Sequence, residues 1–474
     1  MHFSKLPPEI LDYILSDIDK PSDLIALATT AKELYRIVAP RHSEYRVLRI
    51  RHRFPGLWAH LAKRVDLSRN LREINISQKT DQTLIEQYPT TLVSSPLPHG
   101  MIDPWKEEEE RVQNFLVAMG YTEQLKVFRW DFRYDTGSLY MSSEQELRLL
   151  GILSKISSIE RLVLAGNLRC LMPLAKNNQF QLVWNMPNLR DLTLMGDVWG
   201  LPPALPSLKH VLKQCMQLRR LQIPIEANGI SDLVIPTLRQ LSLFLYSGTT
   251  SSSMKQWNVF LENHPLLEDF WCNPSSTMVL PRNGLVKLKR LSAEPDFLDS
   301  FTDAERVPES LECLQYTSFQ FNTGFIPPSR CNLKNLKQLH LSTAQTEEEL
   351  HAIAASCPAL TWLHITGCVK FELDVWLDFL SSFLNLEVFR GPGIWISVSD
   401  DSERMHVAIM RLVQRCMKLR ELDHRSVHGK RGRNRKIVII KEQTKDGLSV
   451  RYEVRRPHSR CRIDFMDDAF ARSC

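Results

Sequence analysis

The residue types best suited to chemistry here are 14 histidines and 10 cysteines, which could bind a metal or act as nucleophiles. The cysteines contain no CxxC pair, and we find no HExxH motif, nucleophile elbow, EF-hand loop or protein-kinase motif. The 18 glycines form neither GxGxxG nor GxxxxGK[ST], so no phosphate-binding loop is predicted. The sequence therefore predicts a chain that is not an enzyme and needs no metal or cofactor.

The composition is that of an ordinary globular protein. Of 474 residues, 43% are hydrophobic and 24% are charged, and the formal net charge of +6 is too mild to predict a nucleic-acid partner by itself. No apolar run approaches the roughly 18 residues of a membrane span. Lys5, Glu9 and Asp12 interrupt the stretch that a signal peptide would need apolar. We therefore expect no membrane association, reduced thiols and a cytoplasmic or nuclear location.

A short phrase recurs through most of the chain: an apolar residue, two variable residues, then apolar, variable, apolar. It is found 13 times, beginning at Asn70, Gln124, Ser158, Asn188, Gln217, Thr237, Leu266, Lys287, Ser310, Asn335, Ala359, Asn385 and Lys418. From Leu189 onward, successive first apolar positions lie 20 to 29 residues apart, with a last step of 33. This spacing is typical of leucine-rich repeats.

Alternation within the phrase predicts a strand with apolar side chains on one face and variable side chains on the other. A single strand of this kind cannot bury its apolar face, but stacked neighbours can. The sequence therefore predicts a solenoid with a concave parallel sheet. Amphipathic stretches between the phrases, such as the one that Thr346 begins as an N-cap, predict helices on the convex side.

The cysteines fit this repeat. Residues 357–368 resemble the cysteine-containing leucine-rich repeat, and Cys215, Cys357 and Cys416 each stand three residues before a strand leucine. We expect small, buried thiols at the turn from helix to strand.

Candidate target-binding residues are the variable strand positions, which project from the concave sheet. Exposed Trp and Arg side chains are enriched at binding hot spots, and two His residues occupy matching positions in neighbouring phrases. The predicted target-binding residues are Trp271, Trp362, His340, His364, Arg220 and Arg290. The alternative is that loops or a tail cover both Trp residues. Two histidines without a third ligand do not predict a metal site.

The first fifty residues differ from the rest of the chain. Pro7 and Pro8 suit the first turn of a helix, and Ser22 suits the N-cap of a second helix. Three short amphipathic segments follow one another up to Pro40. Three helices this short have little interior of their own. They should therefore expose apolar surface to a partner.

These residues resemble the F-box family. The resemblance rests on the opening Leu-Pro-Pro-Glu-Ile at 6–10, the Pro-Ser-Asp-Leu step at 21–24 and a helix that ends in Ala39-Pro40, and it covers about 45 residues. The common pattern has Cys and Trp in the third helix, where this chain has Ala31 and Leu34. Residues 42–50 are similar to the exit into the repeats in fungal F-box proteins.

The resemblance implies that a Skp-type adaptor binds these helices and bridges the chain to a cullin–RING ubiquitin ligase. The residues that match the motif, and that the resemblance assigns to adaptor binding, are Leu6, Pro7, Ile10, Ile14, Leu24 and Leu27. Some of them would face the adaptor and others the repeats. The alternative is an N-terminal cap that only seals the solenoid.

A basic segment lies near the end of the chain. Residues 418–462 hold 15 Lys or Arg against 5 Asp or Glu, with the highest density from His428 to Lys436. This run could be a solvated loop, a nuclear import signal or a nucleic-acid contact. Two apolar stretches then flank Asp446-Gly447, which predicts a β-hairpin that caps the last repeat.

The predicted fold is therefore α/β: a three-helix F-box at 1–50, a leucine-rich-repeat solenoid at 51–428, and the basic segment with the hairpin at 429–474. The predicted function is substrate recognition in an SCF-type ubiquitin ligase, with the repeats binding an unidentified target protein. The alternative is a ligase-independent binding scaffold whose basic C-terminal segment contacts nucleic acid. The sequence does not specify the target.

Overall fold

Short parallel strands follow one another in chain order, one for each of the 13 phrases. The computed structural model describes residues 6–18, 21–39, 42, 45–51, 55–77, 87, 89, 104–131, 141–166, 168, 170, 186–202, 204–244, 251–273, 285–293, 308–316, 333–367, 370–398, 402–424, 436–444 and 447–455. The chain forms two units, residues 1–238 and 239–474.

The first unit begins with three helices and continues as a parallel sheet. Its helices are α1 (Pro8–Ser16), α2 (Pro21–Ala28), α3 (Lys32–Val38), α4 (Pro55–Lys63), α5 (Val65–Ser68), α6 (Pro104–Gly120), α7 (Ser143–Leu153) and α8 (Leu205–Gln214). Its strands are β1 (Val47–Arg51), β2 (Glu73–Ser77), β3 (Val127–Asp131), β4 (Arg161–Ala165), β5 (Asp191–Met195) and β6 (Arg220–Pro224). Each of these strands pairs in parallel with the next.

The second unit continues the pattern and ends in a hairpin. Its strands are β7 (Gln240–Phe244), β8 (Asp269–Asn273), β9 (Arg290–Ala293), β10 (Cys313–Tyr316), β11 (Gln338–Leu341), β12 (Trp362–Ile365), β13 (Val388–Arg390), β14 (Glu421–Asp423), β15 (Lys436–Thr444) and β16 (Gly447–Arg455). Its helices are α9 (Ser251–Glu262), α10 (Glu347–Ser356), α11 (Leu373–Ser381), α12 (Gly393–Ser397) and α13 (Ser402–Arg415). Strands β7 to β14 are parallel, whereas β14, β15 and β16 pair antiparallel.

The prediction of an α/β repeat fold with a parallel sheet is confirmed. The register aligns the phrase leucines, as in Leu339 beside Leu363, so their side chains form one buried face. Helices pack on that face: Phe115 of α6 contacts Trp130 of β3, with ring centroids 5.9 Å apart. We call the opposite face, which carries the variable positions, the open face.

Serine residues at two of the turns hydrogen-bond to the repeat before them. Ser158 and Ser310 precede the first apolar residue of their phrases. The Ser310 hydroxyl lies 3.0 and 2.7 Å from the carbonyl oxygens of Val286 and Leu288, and Ser158 makes the same contacts one repeat back. Hydrogen bonding of otherwise orphaned turn carbonyls explains why small polar residues recur at this position.

The strand β1 is an addition to the 13 phrases. Val47–Arg51 alternates as the phrases do, but it lacks their leading leucine and so does not show the complete phrase. Its register places Leu48 beside Ile74 of β2. The boundary predicted at residue 50 thus falls inside the first strand of the sheet.

Candidate binding surfaces

The three N-terminal helices share a small core. Leu15, Leu24, Ala28 and Val38 are buried together, and Leu27 packs against them. Leu24 therefore contributes to the core of the helices, and adaptor contact by the six motif residues stays a prediction. Leu6, Ile14 and Leu27 are partly buried, whereas Pro7 and Ile10 are exposed.

Four large apolar side chains point away from this core: Ile10 (48% exposed), Tyr13 (70%), Ile25 (58%) and Tyr35 (59%). We call them the N-terminal apolar surface. They are four of the 13 large hydrophobic side chains that are exposed among the described residues, although they occupy a segment of about thirty residues. Isolated exposed hydrophobics are ordinary, but this density favours a partner-binding surface.

Three of these four residues were missed by the sequence analysis. The helix α1 carries apolar side chains at 10, 11, 13, 14 and 15, an arc too broad for one interface. Leu11 and Leu15 turn inward, which leaves Ile10 and Tyr13 outside. The width of the arc was the sequence signal that this helix has two apolar interfaces, one with the core and one with a partner.

A buried arginine joins the helices to the sheet. The Arg46 side chain donates to the backbone carbonyls of Leu15 and Ile18, at the end of α1, and contacts His42 Nδ1 at 3.0 Å. The Arg46 carbonyl in turn accepts the backbone N–H groups of Arg72 and Glu73, where β2 begins. A cation at the C-terminal end of a helix also interacts favourably with its dipole. Arg46 thus connects α1 directly to the first repeat.

The two tryptophans expected to be exposed on the open face are buried. Trp271 is 3% exposed and Trp362 is 7% exposed. Their burial contradicts the expectation that they are exposed anchors, and target contact by either residue stays a prediction. Sequence alternation assigns a side chain to a face of the sheet, but it does not tell whether that face is covered at a given strand.

The two predicted arginines are held in ion pairs within the sheet. Arg220 lies 3.4 Å from Asp191, and Nε and Nη2 of Arg290 each contact an oxygen of the Asp269 carboxylate at 2.5 Å. Burial raises the pKa of Asp191, although Arg220 and Arg161 favour its ionised form. The strand register brings these charges side by side. The structure thus gives Arg220 and Arg290 sheet partners, and target contact by them stays a prediction.

His340 and His364 come together as predicted. They are adjacent in the register of β11 and β12, and their rings stack with centroids 4.3 Å apart and planes inclined by 11°. Gln315 and Arg390 continue the same position into β10 and β13. We call these four partly exposed residues the histidine row.

Carboxylates neutralise the charged end of the histidine row. Arg390 contacts Glu421 at 2.9 Å and Asp423 at 3.0 Å, while Lys436 of β15 contacts Glu421 at 2.7 Å. Two cations thus face two anions. Among the described residues, this part of the open face offers imidazole rings and hydrogen-bonding groups whose cations are paired with carboxylates, which suits a protein surface.

The stability of the chain should depend on pH through His340. Burial lowers the pKa of His340 from its usual value near 6.5 to about 4. The folded chain therefore favours the neutral ring. The folding stability associated with this preference is fully present above about pH 6.5 and is lost as the pH falls toward 4. We expect the wild type to lose up to about 3 kcal/mol across this window because of His340.

Urea unfolding of the wild type and of His340→Gln at several pH values measures this effect. The variant should lose less stability between pH 7 and pH 4 than the wild type does. The control His351→Gln changes an exposed histidine on α10 and should keep the wild-type pH profile. Identical profiles for all three proteins would contradict the assignment to His340.

The cysteines lie where the repeat predicted them. Cys215, Cys357 and Cys416 are buried at helix-to-strand turns, and burial raises the pKa of Cys215 to about 12 and that of Cys416 to about 11. Among the described residues, no three His, Cys, Asp or Glu side chains are grouped so that they could hold a metal ion. Nor does any helix in the described ranges have the length and hydrophobicity to span a membrane.

Most of the basic run lies outside the described residues, which include only Lys436 from positions 428–436. Two cations of the neighbouring hairpin have partners in the described residues. Lys441 donates to the carbonyls of Cys416 and Met417 at the end of α13, and Arg451 lies 3.0 Å from Glu442. The Lys441 contacts hold the hairpin against the last repeat, and the Arg451 pair links its two strands.

No family model and no curated protein matches this chain. Among solved structures it is similar to that of the yeast Rad7 and Elc1 complex, with 12% identity over 81% of this chain and 88% of that chain and a TM-score of 0.41. It is also similar to the complex of TLR13 with ssRNA13, with 14% identity over 70% of this chain and a TM-score of 0.27. The chain spans 48% of the TLR13 chain. Neither similarity assigns this chain to a family.

Proposed function

We propose that this chain is the substrate-recognition subunit of a cullin–RING ubiquitin ligase, in which the N-terminal helices act as an F-box and bind a Skp-type adaptor. The observation that carries the proposal is the N-terminal apolar surface, which lies on three short helices with a core of a few side chains. The F-box-like motifs of residues 6–24 coincide with these helices.

The repeats are proposed to bind the target protein. The histidine row is the best-defined candidate on the open face of the second unit, because its rings are partly exposed and its charges are balanced. The chain itself supplies no catalytic residue under this proposal. It accelerates ubiquitin transfer by holding a target lysine near the charged ubiquitin carrier, which raises its effective concentration.

Capture of a purified Skp-type adaptor by the full chain tests the proposal. We expect the wild type to bind, and Ile10→Asp combined with Ile25→Asp to weaken binding by about a hundredfold, because two large apolar side chains would be replaced by charges in the interface. Both positions are exposed, so the variant should fold normally.

The matched control is Met216→Asp combined with Leu384→Asp. It also charges two exposed apolar side chains, but on turns between repeats, so adaptor binding should not change. A wild-type chain that ignores the adaptor would contradict the ligase proposal and favour a ligase-independent scaffold. Equal binding by both double variants would remove the N-terminal apolar surface as the docking site.

A further inference from the structure

The strand β16 is the last strand of the sheet among the described residues. Its nine residues, Gly447–Arg455, pair along their whole length with β15. Within the described residues no strand pairs with its other side. An edge of this length offers a row of backbone donors and acceptors to another strand.

At the opposite end of the sheet, the edge of β1 is partly covered. There, the backbone of Arg49 in β1 exchanges two hydrogen bonds with Gln87, with N–O distances of 2.9 and 2.8 Å. This bridge covers part of the β1 edge. The β16 edge carries charged side chains instead, which discourage unselective strand pairing but permit a partner with matching charges.

The hairpin is held in place before any partner arrives. Ile437 of β15 is fully buried, and Lys436 and Lys441 bind groups of the last repeat. On β16 itself, the Tyr452 hydroxyl lies 3.2 Å from His406 Nδ1 of α13. Docking onto such a preordered edge therefore costs little conformational entropy.

The side chains of β16 are self-complementary. If two copies pair antiparallel about Tyr452, Arg451 of each copy faces Glu453 of the other, and Val450 faces Val454. Residues opposite each other in an antiparallel pair lie on the same face, so both charge pairs and both apolar pairs can form. The charges are available, since the Arg451 and Glu453 side chains are 63% and 44% exposed.

The ion pairs that these charges already make within one copy do not prevent them from pairing across the dimer. Arg451 pairs with Glu442, and Glu453 pairs with Arg455, at the protein surface. Exposed ion pairs contribute little to stability. Val454, which is 43% exposed in one copy, would become more buried in the dimer.

We propose that β16 forms an antiparallel pair with β16 of a second copy of this chain, which makes a twofold-symmetric dimer by edge-to-edge strand addition. This surface is separate from the N-terminal helices, and it places two copies of the repeat sheet in one assembly. The dimer neither requires nor excludes the proposed ligase role.

Sedimentation velocity of the full chain over a series of concentrations tests the dimer. The wild type should change from monomer to dimer as concentration rises. Glu453→Arg should weaken dimerisation by about a hundredfold, because it places like charges opposite each other at two symmetric positions. Adding Arg451→Glu to that variant should restore the dimer, since the charges are then complementary again with their positions exchanged.

This charge swap also controls for misfolding, because the restored protein contains the same Glu453→Arg change. A wild type that stays monomeric at every concentration overturns the proposal, whatever else covers the edge. A dimer that persists undiminished in Glu453→Arg places the interface elsewhere and overturns it too. Failure of the double variant to dimerise, with the single variant monomeric, rejects the assigned register.

Discussion

Gly391→Ala should lower the free energy of unfolding of the chain by about 4 kcal/mol. Gly391 follows β13 with a φ angle of +127°, a backbone conformation that side chains rarely permit. A Cβ at this position would lie 2.0 Å from the carbonyl oxygen of Ile365. Ile365 belongs to β12 and pairs with Leu341 of β11, so moving its backbone aside would disturb the sheet.

Gly391 also takes part in the hydrogen bonds that join β13 to β14. The Gly391 N–H donates to the Asp423 carboxylate at 3.0 Å, and the Trp395 indole donates to the Asp423 carbonyl at 2.9 Å. A shift of the chain at Gly391 would therefore disturb the end of β14 as well. The damage should extend to the carboxylates that neutralise Arg390.

Urea and thermal unfolding measure this loss. Gly151→Ala is the matched control, because a Cβ at this position in helix α7 meets nothing within 4 Å. It should leave stability unchanged or raise it by up to about 1 kcal/mol, since alanine favours helix more than glycine does. A Gly391→Ala protein as stable as the control would show that the turn after β13 can rearrange.

Arg46→Met should release the N-terminal helices from the sheet, with a loss of about 3 kcal/mol in their local stability. The substitution keeps an apolar stem, but it removes the donors to Leu15 and Ile18 at the end of α1. These carbonyls, and the side chain of His42, would then be left with fewer partners in a buried place. Unsatisfied buried groups account for most of the expected loss.

Hydrogen exchange is the measurement that separates this local effect from global unfolding. Residues 8–38 should exchange faster in Arg46→Met, while α7 keeps its protection. The control Arg69→Met removes an arginine whose contact with Glu123, at 3.4 Å, is exposed, and its exchange should match the wild type. Unchanged protection of residues 8–38 in Arg46→Met would mean that side-chain packing alone holds these helices.

The same variant bears on the proposed function. If the ligase role holds, the N-terminal helices must present a bound target at a defined distance from the transfer machinery. Arg46 links helix α1 to the first repeat. Loss of this link should therefore reduce ubiquitin transfer to a bound target more than it reduces target binding.

Much of the fold was predictable because its signals are local. The alternation Leu339–Leu341 in β11, or Leu192–Leu194 in β5, directs side chains to one face whatever surrounds the strand. Thr346 caps its helix through a contact with Glu349, only three residues away. Such features depend on a few neighbouring residues, so the sequence shows them directly.

The sequence by itself thus determined the repeat, its buried face, the three N-terminal helices and the burial of the turn cysteines. Only the tertiary structure decided that Trp271 and Trp362 are covered, that Asp191 and Asp269 bind the two candidate arginines, and that Tyr13, Ile25 and Tyr35 lie outside the N-terminal core. The physical reason is that exposure and ion pairing depend on atoms brought together from distant positions. Asp269 and Arg290, for instance, stand 21 residues apart and meet only through the register of β8 and β9.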